Sequence, residues 1–101
     1  MKYDTIYQFR IQLRNIKPPI WRVIQVPATY SFWDLHVAIQ DSMGWSDCHL
    51  HEFVLKQGRS EMLIGIPDDD FPSGRETTAG HEVAISSHFK KKGDRAKYMY
   101  D

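Results

Sequence analysis

The stretch SFWDLHVAIQDSMG, residues 31–44, decides the fold class, because it separates segments that alternate like β-strands. Ser31 offers a hydroxyl to the first unpaired amides of a helix, and Asp34, three residues on, can reach back to it as a variant capping box. Phe32, Leu35, Ile39 and Met43 recur at helical spacing, and Val37 and Ala38 widen the apolar stripe. Gly44 is free to take the positive φ that ends many helices. The expectation is one helix from Ser31 to Met43 with its stripe on a core.

Upstream, residues 5–15 alternate strictly. Tyr7, Phe9, Ile11 and Leu13 share one face, and Gln8, Arg10, Gln12 and Arg14 share the other, as in a half-buried strand. Pro18 and Pro19 cannot continue a ladder, so the chain turns. Ile20 to Val26 is a second run rich in β-branched residues, and the short connection favours an antiparallel hairpin. Downstream, His49 to Lys56 alternates again, Gln57-Gly58 marks a turn, and Glu61 to Ile66 reads as a short strand. Residues 67–80, PDDDFPSGRETTAG, are rich in turn formers and read as a long loop. HEVAISSHF is compatible with a strand or a short helix, KKKGDR with a charged turn, and AKYMYD with the beginning of a strand. The predicted class is α+β: a β-grasp-like sheet of hairpin, helix and returning strand, with one main helix packed on it.

At 101 residues the chain makes one domain or part of one, residues 1–101, and its 42% hydrophobic content is ample for a globular core. Thirteen basic and thirteen acidic residues cancel, which argues against wrapping nucleic acid by bulk charge while leaving room for a local patch. A single cysteine excludes an internal disulfide and suits a reducing cytoplasm. The opening MKYDTIYQFR has no apolar run of the signal-peptide kind, and no segment approaches the roughly 20 apolar residues of a membrane span. The expected setting is therefore cytoplasmic, with no membrane partner.

The densest chemistry lies in CHLHEF, residues 48–53. On a strand, His49 and His51 point the same way, about 7 Å apart, which suits two ligands of one metal. Cys48 and Glu52 fall on the opposite face, so neither completes that site nor lets Cys48 pair with its neighbour His49 as a nucleophilic dyad. Further ligands would come from His36, His81, His88 or the Asp68–Asp70 run. The competing reading carries His49 and His51 along the rim of a core face with Phe53 and Leu55, hydrogen-bonded and without metal. No phosphate-binding, dinucleotide or nucleophile-elbow motif is present, and no catalytic residue is assigned. The expectation is a binding or interaction module without a cofactor; a zinc-dependent site on His49 and His51 is the alternative.

Two further features bear on partners. Lys90, Lys91, Lys92, Arg95 and Lys97 form a basic cluster close to Phe89, Tyr98 and Tyr100, and could hold nucleic acid weakly and without sequence preference. Trp33, beside the helix cap and off the main stripe, and Trp45 are candidates for an interaction surface.

The segments YQFRIQLRNIKPPIWRVIQVP (7–27), SFWDLHVAIQDSMGW (31–45) and HLHEF (49–53) together resemble the plasmid pRiA4b ORF-3-like (MM3350-like) family. The resemblance runs from about Tyr3 to Leu55 and more loosely to the end. It implies an α+β domain of cytoplasmic bacterial and archaeal proteins, often encoded on plasmid or mobile DNA, with no established activity. Some members carry resolvase-like or repressor-like labels. Family members continue past the position of KYMYD, so the resemblance also implies a domain incomplete at its C-terminal side. Its partner would be a further protein or the missing C-terminal half.

Overall fold

The structure, a computed structural model, describes residues 5–45, 51–66 and 77–100. In chain order they form β1 (Ile6–Gln12), β2 (Trp21–Pro27), α1 (Phe32–Met43), β3 (His51–Gln57), β4 (Ser60–Gly65) and β5 (Thr77–Ala79). Two 3-10 turns follow, Gly80–Glu82 and Ile85–Ser87, and then β6 (Lys97–Tyr100). The fold is α+β, with one helix packed on mixed sheets.

The helix starts where its capping chemistry places it. The Ser31 hydroxyl accepts from the Asp34 amide at 3.1 Å, and the Asp34 carboxylate accepts from the Ser31 amide at 3.0 Å. At the other end Gly44 takes φ 71°, and the Trp45 amide returns to the Gln40 carbonyl at 3.0 Å. Cap and stop together satisfy amides and carbonyls that a bare helix leaves unpaired.

The strands β1 and β2 pair antiparallel from Ile6↔Pro27 to Gln12↔Trp21 and form a sheet of their own. The second sheet has the order β5-β4-β3-β6, antiparallel except for the parallel pair β4·β5. The expected hairpin, helix and returning strand are therefore all present, but hairpin and returning strand do not share one sheet. Within the expected loop of residues 67–80, Thr77–Ala79 is a strand, because it finds the open edge of β4. Such a parallel partner is remote in sequence and leaves no periodic signal in three residues. The undecided HEVAISSHF becomes two 3-10 turns, with Ile85 fully buried. The acidic run Asp68–Asp70 lies outside the described residues.

Val26, Phe32, Leu35, Ile39, Phe53, Leu55, Ile64, Ile85 and Phe89 make one core to which hairpin, helix, sheet and 3-10 segment all contribute. Each such side chain stabilises the fold by about 1.5–3 kcal/mol relative to exposure. Phe32 anchors it, edge-on to Phe53 at 5.1 Å between ring centroids. On β3, Val54 is buried as well as Phe53 and Leu55, so the strand is covered on both faces at its centre.

Removing the cap with Ser31→Ala should cost about 1 kcal/mol. Ile64→Ala, which opens a cavity under the helix, should cost about 2–5 kcal/mol. Gly65→Ala should also destabilise, because a Cβ there would lie 2.8 Å from the His51 carbonyl oxygen, a backbone atom that cannot step aside alone. Urea denaturation of the three variants checks this: the midpoints should fall, with Ile64→Ala below Ser31→Ala and little change in m.

Candidate functional site

The α1 and β3 elements bring His36 and His51 together, 15 residues apart in sequence. Each is carried by its own periodicity: His36 lies one residue past Leu35 on the buried side of the helix, and His51 shares the core face of β3 with Phe53. Both are buried, and their imidazoles stack with centroids 3.5 Å apart and planes 10° from parallel. Trp33 covers the pair from the surface, its ring 5.2 Å from His36 and 5.8 Å from His51. Below, the Tyr98 hydroxyl joins Nδ1 of His36 in a 2.6 Å hydrogen bond and accepts from Gln40 Nε2 at 2.9 Å. The Tyr98 ring also packs on Phe53 at 4.9 Å. The result is an enclosed layer of imidazole, phenol and indole.

This geometry bears on the metal expectation. Imidazole binds a metal in the plane of its ring, and the in-plane lone pairs of two nearly parallel rings do not converge on one ion. His36 therefore does not supply the extra ligand sought for His51. His81 lies 3.8 Å from Glu82 at the surface, and His88 meets the Phe32 ring edge-on. Among the described residues no group of three or more His, Cys, Asp or Glu converges on a cation position. His49 and Cys48 lie outside the described residues.

The basic cluster is placed on the turn before β6. Lys90, Lys91, Lys92, Arg95 and Lys97 are all exposed. Their expected aromatic companions turn away from solvent: Phe89 is in the core, Tyr98 reaches His36, and Tyr100 stacks on Trp45 at 5.1 Å with planes 8° apart. Asp94 sits inside the cluster. It accepts from the amides of Lys90 at 2.8 Å and Lys91 at 3.0 Å, and lies 3.4 Å from the Lys91 ammonium. These contacts, chiefly the Lys90 and Lys91 amides, hold its carboxyl below the usual carboxylate range.

Trp33 and Trp45, expected at an interaction surface, differ in use. Trp33 keeps 37% of its surface exposed, beside exposed Val37 one turn on, whereas Trp45 is half-buried against Tyr100. A third tryptophan also stands at the surface. Trp21 is 48% exposed on the outer face of the β1–β2 hairpin, next to Val23 at 46% and Ile6 at 52%. The signal was present: Ile6, Gln8, Arg10 and Gln12 alternate with the core face of β1, and the register places Trp21 opposite Gln12. The Arg10 guanidinium lies 4.8 Å over the Trp21 ring. The hairpin cations Arg10, Arg14, Lys17 and Arg22 are all exposed, and no acidic residue occurs from residue 5 to residue 33.

A small α+β domain, with an enclosed imidazole–aromatic layer and a cationic hairpin displayed beside it, is the class that fold and site define. The chain belongs to the plasmid pRiA4b ORF-3-like protein family, whose model matches residues 5–101. It is 28% identical over 98 residues to the uncharacterized protein y4hQ of Sinorhizobium fredii, covering 96% of this chain and 47% of that protein. Its fold is similar to the crystal structure of MM3350 of Methanosarcina mazei, described as a protein of unknown function. The TM-score is 0.83 at 36% identity, over 95% of this chain and 52% of that one. The chain thus spans about half the length of the relatives it matches. No described helix is long and apolar enough to cross a membrane.

Tyr98→Phe should destabilise by about 1–3 kcal/mol, because two buried side chains lose the hydroxyl they share; denaturation of the two proteins in parallel measures it. The Asp94 turn has its own pH signature. A carboxyl whose folded pKa is lowered stabilises above its unfolded pKa and loses that contribution as pH falls through the folded value. Protection of the Lys90 and Lys91 amides from exchange should accordingly persist at neutral pH and fade in acid, and Asp94→Asn should abolish the pH dependence.

Proposed function

We propose that this chain is a binding module and that the outer face of the β1–β2 hairpin is its contact surface. The observation that carries the reading is the division of side chains between core and surface. Groups able to move protons or hold ions, His36, His51, Tyr98 and Gln40, are built into the enclosed layer. Large apolar groups that a hairpin could have turned inward, Ile6, Trp21 and Val23, are displayed instead. Exposed tryptophan and arginine together are characteristic of binding anchors. Tyr7 fixes the hairpin to the body of the domain by donating its hydroxyl to the Phe89 carbonyl at 2.8 Å, so the face is presented on a firm support.

Chemical cross-linking in cells tests the reading, with the parent chain compared with a Trp21→Ser/Val23→Ser variant. The substitutions touch exposed side chains and should change stability little. Cross-linked species present with the parent and lost with the variant are expected. An identical cross-linking pattern for the two proteins would remove the hairpin face from the function.

A further inference from the structure

The charge of this chain is distributed unevenly. The hairpin and its turn carry Arg10, Arg14, Lys17 and Arg22 with no carboxylate between residues 5 and 33, so in a chain of zero net charge the remainder is net acidic. Among the described residues, no carboxylate pairs with any of the four. On the outer face, the register sets Gln8 opposite Gln25, Arg10 opposite Val23 and Gln12 opposite Trp21. The Gln25 amide donates to Gln8 at 3.1 Å, and Arg10 lies over the Trp21 ring. Cations, amides and one braced aromatic thus occupy a single two-stranded ribbon. The lysine turn before β6 differs, since Asp94 sits within it and its aromatic neighbours face inward.

From this arrangement we infer that the β1–β2 hairpin binds duplex DNA, entering a groove as a β-ribbon. This rests on the binding-module reading and names its partner. The dimensions agree: the major groove, about 12 Å wide, admits a two-stranded ribbon. Strands of seven residues extend about 23 Å, close to the rise of seven base pairs. Arg14 and Lys17 in the turn and Arg22 at the ribbon's end provide phosphate contacts, which position the ribbon without reading sequence. The row of Gln8, Gln12 and Gln25 presents donors and acceptors toward base edges. Duplex is favoured over single strand because Trp21 is the one aromatic exposed on this face and Arg10 already covers one side of its ring, whereas single-strand binding uses successive open stacking platforms.

Fluorescence anisotropy of the 101-residue chain decides the matter, using a labelled mixed-sequence duplex of roughly two helical turns, its separate strands, and heparin as competitor. Three phosphate contacts predict that affinity for the duplex falls about fortyfold between about 50 and 200 mM salt. Arg14→Gln/Lys17→Gln, in the turn and outside both strands, should flatten that salt dependence by about two contacts. Trp21→Ala should leave the preference for duplex over single strand in place, since it removes the only stacking group on the face. Lys90→Gln/Lys91→Gln/Lys92→Gln should leave binding unchanged. Equal affinity for duplex and single strand, displacement by heparin at equal charge, or a duplex affinity and salt dependence unchanged by the turn substitutions overturns the inference. Cross-linked protein partners lost with Trp21→Ser/Val23→Ser, in a chain that ignores duplex, would overturn it while leaving the binding-module reading intact.

Discussion

The first turn of α1 is the junction on which the rest of the structure depends. Ser31 and Asp34 satisfy each other and fix where the helix begins, which commits Phe32 to the interior. The Phe32 amide then donates to the Val83 carbonyl, Ser31 bridges to Ala84, and the Ile85 amide returns to the Tyr30 carbonyl. One helical turn thereby joins the end of the hairpin to the 3-10 segment, while the Phe32 ring meets β3 through Phe53. Gly80 belongs to the same junction: a Cβ there would come within 3.2 Å of the Trp33 amide nitrogen. The close approach of the 3-10 segment to the helix leaves little room for a side chain.

The same helix turn also accounts for where polar chemistry goes. Once Phe32 and Leu35 face the core, His36 follows them in, because adjacent helical positions differ by only about 100° around the axis. A buried imidazole needs partners. It finds one face of His51 and the hydroxyl of Tyr98, each from a strand that reaches this layer through sheet pairing. His51 of the CHLHEF region is thereby drawn into packing, and its stacking partner is a residue that attracts attention in the sequence only as one of several remote ligands.

Electrostatics divides the molecule along a different line. The lysine run draws the eye as a charge cluster, yet Asp94 is folded into it as the residue that shapes the turn. The hairpin cations are spread at Arg10, Arg14, Lys17 and Arg22, so no run of them stands out along the chain. Antiparallel pairing collects them on one projecting element with Trp21 among them. Local runs in sequence are poor guides to surface potential, because side chains adjacent on a strand face opposite ways and side chains far apart in sequence become neighbours across it.

The sequence by itself determined the local elements: α1 from its cap, stripe and terminal glycine, β1 and β3 from alternation, the hairpin from its paired prolines. These rest on interactions within a few residues, which a linear reading can follow. It also carried the motifs that place the chain in its family. Only the tertiary structure decided that hairpin and returning strand lie in separate sheets, that Thr77–Ala79 adds to β4, and that His36 stacks on His51. It likewise decided which of three tryptophans stands most open to solvent. Each of those outcomes depends on which distant segments pack together, and non-local pairing is set by the shape and burial of the whole core, not by the residues of either segment alone.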